Sequence, residues 1–169
     1  RYEYPKGHNV RIDCPPTCRK DLDDPSKPLW ITEGQKKADA LASRGLCAIA
    51  LLGVWNWRGK NAKGGLTALS DLNYIAFNGR DVRIAFDSDV MTKPEVRKAQ
   101  DQFARFLQRK GAHVGLVYLP GGPNGKMGVD DFFAAGHTVD ELEACVDAPR
   151  SQPKAAPPLV ELLDEAPAI

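Results

Sequence analysis

Short apolar runs alternate with stretches of 3.6-residue periodicity through the middle of this chain, and that alternation narrows its fold more than any other feature. Strands joined by crossover helices and stacked on a mostly parallel sheet are the arrangement that produces such a pattern. The order reads strand then helix, four times over. Residues 29–32 form the first strand, and 35–44 a helix with Ala38, Leu41 and Ala42 on one face, stopped at Gly45. Residues 47–52 are the second strand, 66–76 read as helical, and 82–86 are the third strand. In the next helix Thr92 and Glu95 form a capping box and Pro94 sits in the first turn. Its apolar face carries Val96, Ala99, Phe103, Phe106 and Leu107, and Gly111 ends it. A fourth strand at 114–118, a turn at 120–123, a short helix at 129–135 and a last helix through Val146, opened by the capping box of Thr138 and Glu141, complete the unit. The expected fold is α/β, a sheet of about four strands with helices on both faces.

Proline, which can neither donate to a ladder nor sit inside a helix, marks the ends: five fall in residues 1–28, three in 29–148 and five in 149–169. The packed domain is therefore expected at 29–148. Before it lies an N-terminal arm or small hairpin at 1–28, where Tyr2, Tyr4, Val10 and Ile12 alternate weakly about Lys6-Gly7-His8-Asn9. After it comes a Pro-rich linker at 149–169, in which 159–164 can form a short helix or docking peptide. A chain of 169 residues suits one domain with a substantial core. No segment approaches the roughly 20 apolar residues of a bilayer crossing, and residues 1–27 lack the apolar centre of a signal peptide, so no membrane partner is expected. The missing initiator methionine points to a piece of a longer polypeptide. Cys14, Cys18, Cys47 and Cys145 fit neither a disulfide framework nor paired zinc knuckles, which places the chain in a reducing cytoplasm. With 23 Lys and Arg against 22 Asp and Glu, contact with nucleic acid must come from the placement of charge, since the total is +1.

The placement of acids is informative. In an open parallel sheet, ligands collect at the carboxyl ends of strands, near the point where the winding reverses. Glu33 directly follows the first strand, Asp87 and Asp89 follow the third with only Ser88 between them, and Asp130 and Asp131 follow the fourth and its turn. Carboxylates gathered without a cation repel one another, so a shared site calls for a hard divalent ion, Mg2+ or Mn2+. Each acid also has a structural alternative: Glu33 favours a helix N-terminus, and Asp130 or Asp131 can cap the helix they open.

The segments Ile31-Thr32-Glu33-Gly34-Gln35-Lys36-Lys37-Ala38-Asp39-Ala40-Leu41, Ala85-Phe86-Asp87-Ser88-Asp89 and Lys126-Met127-Gly128-Val129-Asp130-Asp131-Phe132-Phe133, in that order, resemble the Toprim domain of bacterial-type primases, topoisomerases and certain nucleases. They look especially like the Toprim-like domains of phage and plasmid proteins joined to primase or helicase modules. The resemblance spans about residues 29–146 and implies a Toprim-like, Rossmann-like sheet. It implies a nucleotidyltransferase of the DNA primase type in mobile-element replication, acting with Mg2+ or Mn2+ on single-stranded DNA and nucleotides, with a helicase module in the parent protein. By the same resemblance Glu33 is the catalytic or metal-bridging glutamate, Asp87 and Asp89 are catalytic metal ligands, and Asp130 helps hold a second ion. Two positions depart from the bacterial primase pattern: Gly128 stands where those enzymes place a further acid, and D-S-D stands for D-G-D.

The segment after the second strand joins Trp55 and Trp57 to Arg58, Lys60 and Lys63, the mixture that stacks bases and contacts phosphates on single strands. Its structural alternative is two tryptophans plugging the sheet edge. Lys36 and Lys37 open the first helix beside Glu33, and Lys126 lies in a glycine-rich loop; all three are candidate phosphate contacts. His8, His113 and His137 do not converge and carry no catalytic expectation. The acids alone serve a primase and a metal-dependent nuclease equally, and a catalytically silent binding module for nucleic acid or a replication partner is the non-enzymatic alternative. A phosphatase built on D-x-D wants Thr four residues after its nucleophile, and position 91 is Met.

Overall fold

The computed structural model describes residues 10–122 and 125–147. After a 3-10 helical turn at Pro16–Asp21, β1 (Leu29–Glu33) leads through Gly34 into α1 (Gln35–Ala42) and back to β2 (Cys47–Leu51). A hairpin of β3 (Arg58–Lys60) and β4 (Leu66–Ala68) and a second 3-10 turn (Ser70–Tyr74) precede β5 (Asp81–Ala85). A third 3-10 turn (Ser88–Met91), α2 (Pro94–Arg109), β6 (His113–Leu116), α3 (Val129–Ala134) and α4 (Val139–Ala144) complete the order.

The main sheet has the order β2-β1-β5-β6, and every neighbouring pair is parallel. Its central strands and the β2 edge strand are buried, which explains why they read as unbroken apolar runs: Leu29, Trp30, Ile31, Ile49 and Ile84 are fully buried. From β1 the chain steps outward to β2, and from β5 it steps the opposite way to β6. Because such crossovers are right-handed, α1 and α2 lie on opposite faces, as expected from the sequence. The winding reverses between β1 and β5, whose register ends at Thr32 opposite Ala85. α1 buries Ala38 and Leu41, whereas α2 buries Ala99, Phe103, Ala104 and Leu107.

Two expectations are corrected. Residues 66–76 are not a helix. Asn61 Oδ1 accepts from the N–H groups of Lys63 and Gly65 at 3.0 and 2.9 Å and turns the chain back, pairing Leu66–Ala68 with Arg58–Lys60. Downstream, the Asp71 carboxylate is taken by the Ile12 N–H at 2.9 Å and by Arg11, a long-range capture that local periodicity does not register. The Thr92–Glu95 capping box does not form: the helix starts at Pro94 with Lys93 at its N-cap, while Thr92 Oγ1 donates to the Asp89 carbonyl at 3.2 Å. The Thr138–Glu141 box does form, with reciprocal bonds of 2.7 and 3.2 Å. The expected arm or hairpin about residues 6–9 lies largely outside the described residues. Asp13 pairs its backbone with Ala50 at the β2 edge, and Cys18 is buried in the core. Tyr2, Tyr4 and the 149–169 linker lie outside the described residues.

The arm is fastened by a residue the sequence did not mark. Arg80, fully buried just before β5, donates to the carbonyls of Asp21, Leu22 and Lys27, each at 2.8 Å, and to that of Ala76 at 3.3 Å. A planar guanidinium with five fixed donors can satisfy several backbone oxygens at once, and here it holds residues 21–27 against the amino-terminal end of the sheet.

Candidate active site

Glu33 is the last residue of β1. Gly34 then adopts φ +87°, a left-handed conformation that favours glycine, and donates to the Leu51 carbonyl at 2.8 Å. That sharp exit starts α1 at once, so Lys37 is directed back over the sheet edge while Lys36 is exposed. From the neighbouring strand, Asp87 leaves β5 two residues after its end and opens the 3-10 turn that carries Asp89. Ser88 does more than keep the turn short: its N–H donates to the Met127 carbonyl and its Oγ accepts from the Met127 N–H, both at 2.9 Å. This pair of bonds pins the segment before α3 onto the D-S-D turn and delivers Lys126 and Asp130 to the same rim.

The charges are densely paired. Asp87, 2% exposed, meets Lys37 Nζ at 2.9 Å through Oδ1 and Lys126 Nζ at 2.8 Å through Oδ2. Asp89 Oδ2 lies 2.7 Å from Lys93 Nζ and 3.5 Å from Lys126 Nζ. Burial, followed by the adjacent Asp87 carboxylate, pushes Glu33 up to about 7. Burial also acts to raise Asp87, but the Lys126 and Lys37 ammonium groups outweigh it and hold this carboxyl below its ordinary value. The pair therefore shares one proton near neutrality, held on Glu33.

Gly128 explains how the acids come so close. A Cβ there would lie 2.6 Å from Asp130 Oδ1, 2.9 Å from Asp87 Oδ1 and 2.5 Å from Lys37 Cε. A side chain at this position has no room, and glycine lets Asp87 Oδ1 and Asp130 Oδ1 approach one point. Asp130 Oδ1 is buried with no hydrogen-bond partner; Asp87 Oδ1 has the Lys37 charge nearby but no aligned hydrogen bond. Under-satisfied buried carboxylate oxygens are costly unless something compensates them. Carboxylate oxygens are the donors that a hard divalent cation selects. Among the described residues no group of three acids, histidines or cysteines is placed to hold a metal ion; the ammonium groups of Lys37, Lys93 and Lys126 neutralise Asp87 and Asp89 instead.

The remaining expected site residues divide. Asp131 is exposed, and its Oδ2 accepts from the Gly128 N–H at 3.1 Å, the capping alternative. Trp57 is buried at 7% exposure and stacks on Phe103 and Phe106 of α2 at 5.3 and 5.2 Å, which removes its ring from contact with a base. Trp55 is half-buried with the Arg58 guanidinium 4.4 Å over its ring, and Arg58 also reaches Gln102 at 3.4 Å. Lys60 and Lys63 are exposed on the β3–β4 hairpin. Lys93 was missed in the sequence; its spacing of four from Asp89 was the available signal.

Fold and site thus define a doubly wound parallel α/β domain with a buried acidic cluster, counterbalanced by lysines, at its winding reversal. Residues 20–139 match the family described as a domain of unknown function, DUF3854, and the chain belongs to that family. Among curated proteins it is similar to an uncharacterized protein of Picosynechococcus sp. (strain ATCC 27264 / PCC 7002 / PR-6), 33% identical over 107 residues that make up 57% of this chain and 10% of that protein. The chain spans about a tenth of the length of that relative. Among solved structures it is similar to the zinc-binding and RNA polymerase domains of the Aquifex aeolicus primase, at 18% identity and a TM-score of 0.47, covering 76% of this chain and 27% of the other. No helix among the described residues is long and apolar enough to cross a membrane.

Proposed function

We propose that this chain holds a divalent-metal-dependent phosphoryl-transfer centre acting on nucleic acid, the catalytic core of a DNA primase in a mobile-element replication protein. Single-stranded DNA and nucleotides are its substrates, and a helicase module is its partner in the parent polypeptide. One observation carries this reading: Glu33 lies against Asp87 where the winding reverses, and the Oδ1 atoms of Asp87 and Asp130, buried without hydrogen bonds, lie 2.9 and 2.6 Å from the point a Gly128 Cβ would occupy. The order of motifs, which resembles a Toprim domain, agrees with it.

Asp87, Asp130 and Glu33 would hold the ion, with Asp89 beside them. When bound, Mg2+ or Mn2+ supplies a positioned nucleophile and stabilises charge on the phosphate. Without the ion Glu33 holds a proton near neutrality; beside the charge of a bound cation it would release that proton, leaving a carboxylate able to take the proton of an attacking 3′-hydroxyl. Asp87 stays ionised at that pH because Lys126 and Lys37 flank it. Those same ammonium groups are within reach of a phosphate arriving at the rim.

The chain incubated with single-stranded template, nucleotides and Mg2+ or Mn2+ should yield short new oligomers, lost in Glu33→Gln and Asp87→Asn. Shortening of the template without synthesis would replace the primase with a nuclease. DNA affinity indifferent to both substitutions, without site-specific metal binding, would leave only a binding module.

A further inference from the structure

Resting on the metal-centre reading above, we propose that Lys126 is a displaceable counter-ion: it occupies the cation's place on Asp87 and Asp89, gives way when a divalent ion enters, and then holds the phosphate that arrives with it. Its ammonium lies 2.8 Å from Asp87 Oδ2 and 3.5 Å from Asp89 Oδ2, so one positive charge bridges two acids from one turn. The two partners are 2% and 11% exposed, but the Lys126 side chain is 53% exposed. Lys93, 61% exposed, shares the same Asp89 oxygen at 2.7 Å, but of the two it is Lys126 that also reaches Asp87, and its half-open side chain can leave by rotation of its own torsions.

Its backbone cannot follow, because Met127, the next residue, is tied to Ser88 by two hydrogen bonds of 2.9 Å. A released ammonium thus stays within one side-chain length of the site. Lys37 differs: it is 19% exposed, lies 2.9 Å from Asp87 Oδ1 and donates to Asp87 Oδ2 at 3.1 Å, so it straddles the carboxylate from the less exposed side. Electrostatics favours the exchange only if a cation and an anion enter together. A bare divalent ion beside Lys126 meets a like charge at contact distance, whereas a metal–phosphate pair gives the displaced ammonium a new oxyanion partner.

The test is Mn2+ titration of the full chain by calorimetry, comparing wild type with Lys126→Met, Lys126→Arg and the exposed charge control Lys98→Met. Removing the competing charge should tighten Mn2+ binding by about tenfold in Lys126→Met, a gain that damage to the fold would not produce. Lys126→Arg and Lys98→Met should remain within about twofold of wild type. With Mn2+ saturating, inorganic tripolyphosphate should bind Lys126→Met at least about fivefold more weakly. Equal or weaker Mn2+ binding by Lys126→Met, with Mn2+ still bound by wild type, overturns this proposal alone. If none of the four proteins binds Mn2+, the metal-centre reading falls with it.

Discussion

The acidic rim and the tryptophan-bearing hairpin make opposite use of their residues. The rim gathers Glu33, Asp87, Asp89 and Asp130, separated by up to about a hundred positions in the chain, into one buried cluster. The hairpin segment places Trp55, Trp57, Arg58, Lys60 and Lys63 side by side in sequence and then disperses them. Trp57 goes to the core, Arg58 is held between Trp55 and Gln102, and the two lysines go to solvent. Strand ends at a winding reversal converge because the topology leaves them nowhere else to go. Adjacency in sequence carries no such guarantee: residues 54–57 form a turn that leaves Trp55 half-buried and Trp57 in the core.

Substitutions can break or sharpen this contrast. The largest effect is expected for Trp57→Ala, which removes a buried ring stacked on two phenylalanines and should cost about 3–5 kcal/mol in urea unfolding; a loss under about 1 kcal/mol would return Trp57 to the surface. Asp87→Asn leaves two lysines facing an uncharged amide. At pH 7 it should cost about 3 kcal/mol and weaken Mn2+ binding at least tenfold, both readable on one preparation. Next comes a pH dependence of opposing slopes. Glu33, raised to about 7, favours the folded state below its ordinary value of 4.5, and that stability is lost as pH rises through about 7. Asp87, lowered, contributes stability above its ordinary value of 3.8 that is lost as pH falls. Unfolding measured across this range should therefore show a maximum in the mildly acidic region, and Glu33→Gln should flatten the alkaline side by on the order of 2 kcal/mol. Gly128→Ala should cost about 1–2 kcal/mol, by crowding, and should lower Mn2+ affinity as Asp87 and Asp130 are pushed apart. Smallest is Trp55→Ala, under about 1 kcal/mol; a larger change would mean that Arg58 depends on that ring for more than a stacked contact.

Much of this was legible. The four parallel strands were marked by unbroken apolar runs, and α2 by its periodic face. Glu33, Asp87, Asp89 and Asp130 were marked by falling immediately after those strands or their turn. What stayed hidden depended on contacts between distant segments. Nothing near Ser70 announces that Asp71 will be captured by Arg11 and the Ile12 N–H, so leucines spaced at 66, 69 and 72 imitated a helix. Thr92 and Glu95 had the spacing of a capping box, but the preceding turn is already shaped by Asp87 and Asp89, and Thr92 bonds back to it. The lysines flanking the acids were only partly visible, because which of Lys36 and Lys37 faces inward is decided by the angle at Gly34.

Arg80 sets how this domain can be divided. Its guanidinium is satisfied almost wholly by oxygens of residues 21–27, so a polypeptide shortened to start at Leu29 would keep the cation sealed in its pocket and lose three of the carbonyls that neutralise it. The smallest autonomous unit consequently begins upstream of Asp21, and exchange of the amides on either side of that clamp should slow and accelerate together, as a single cooperative block.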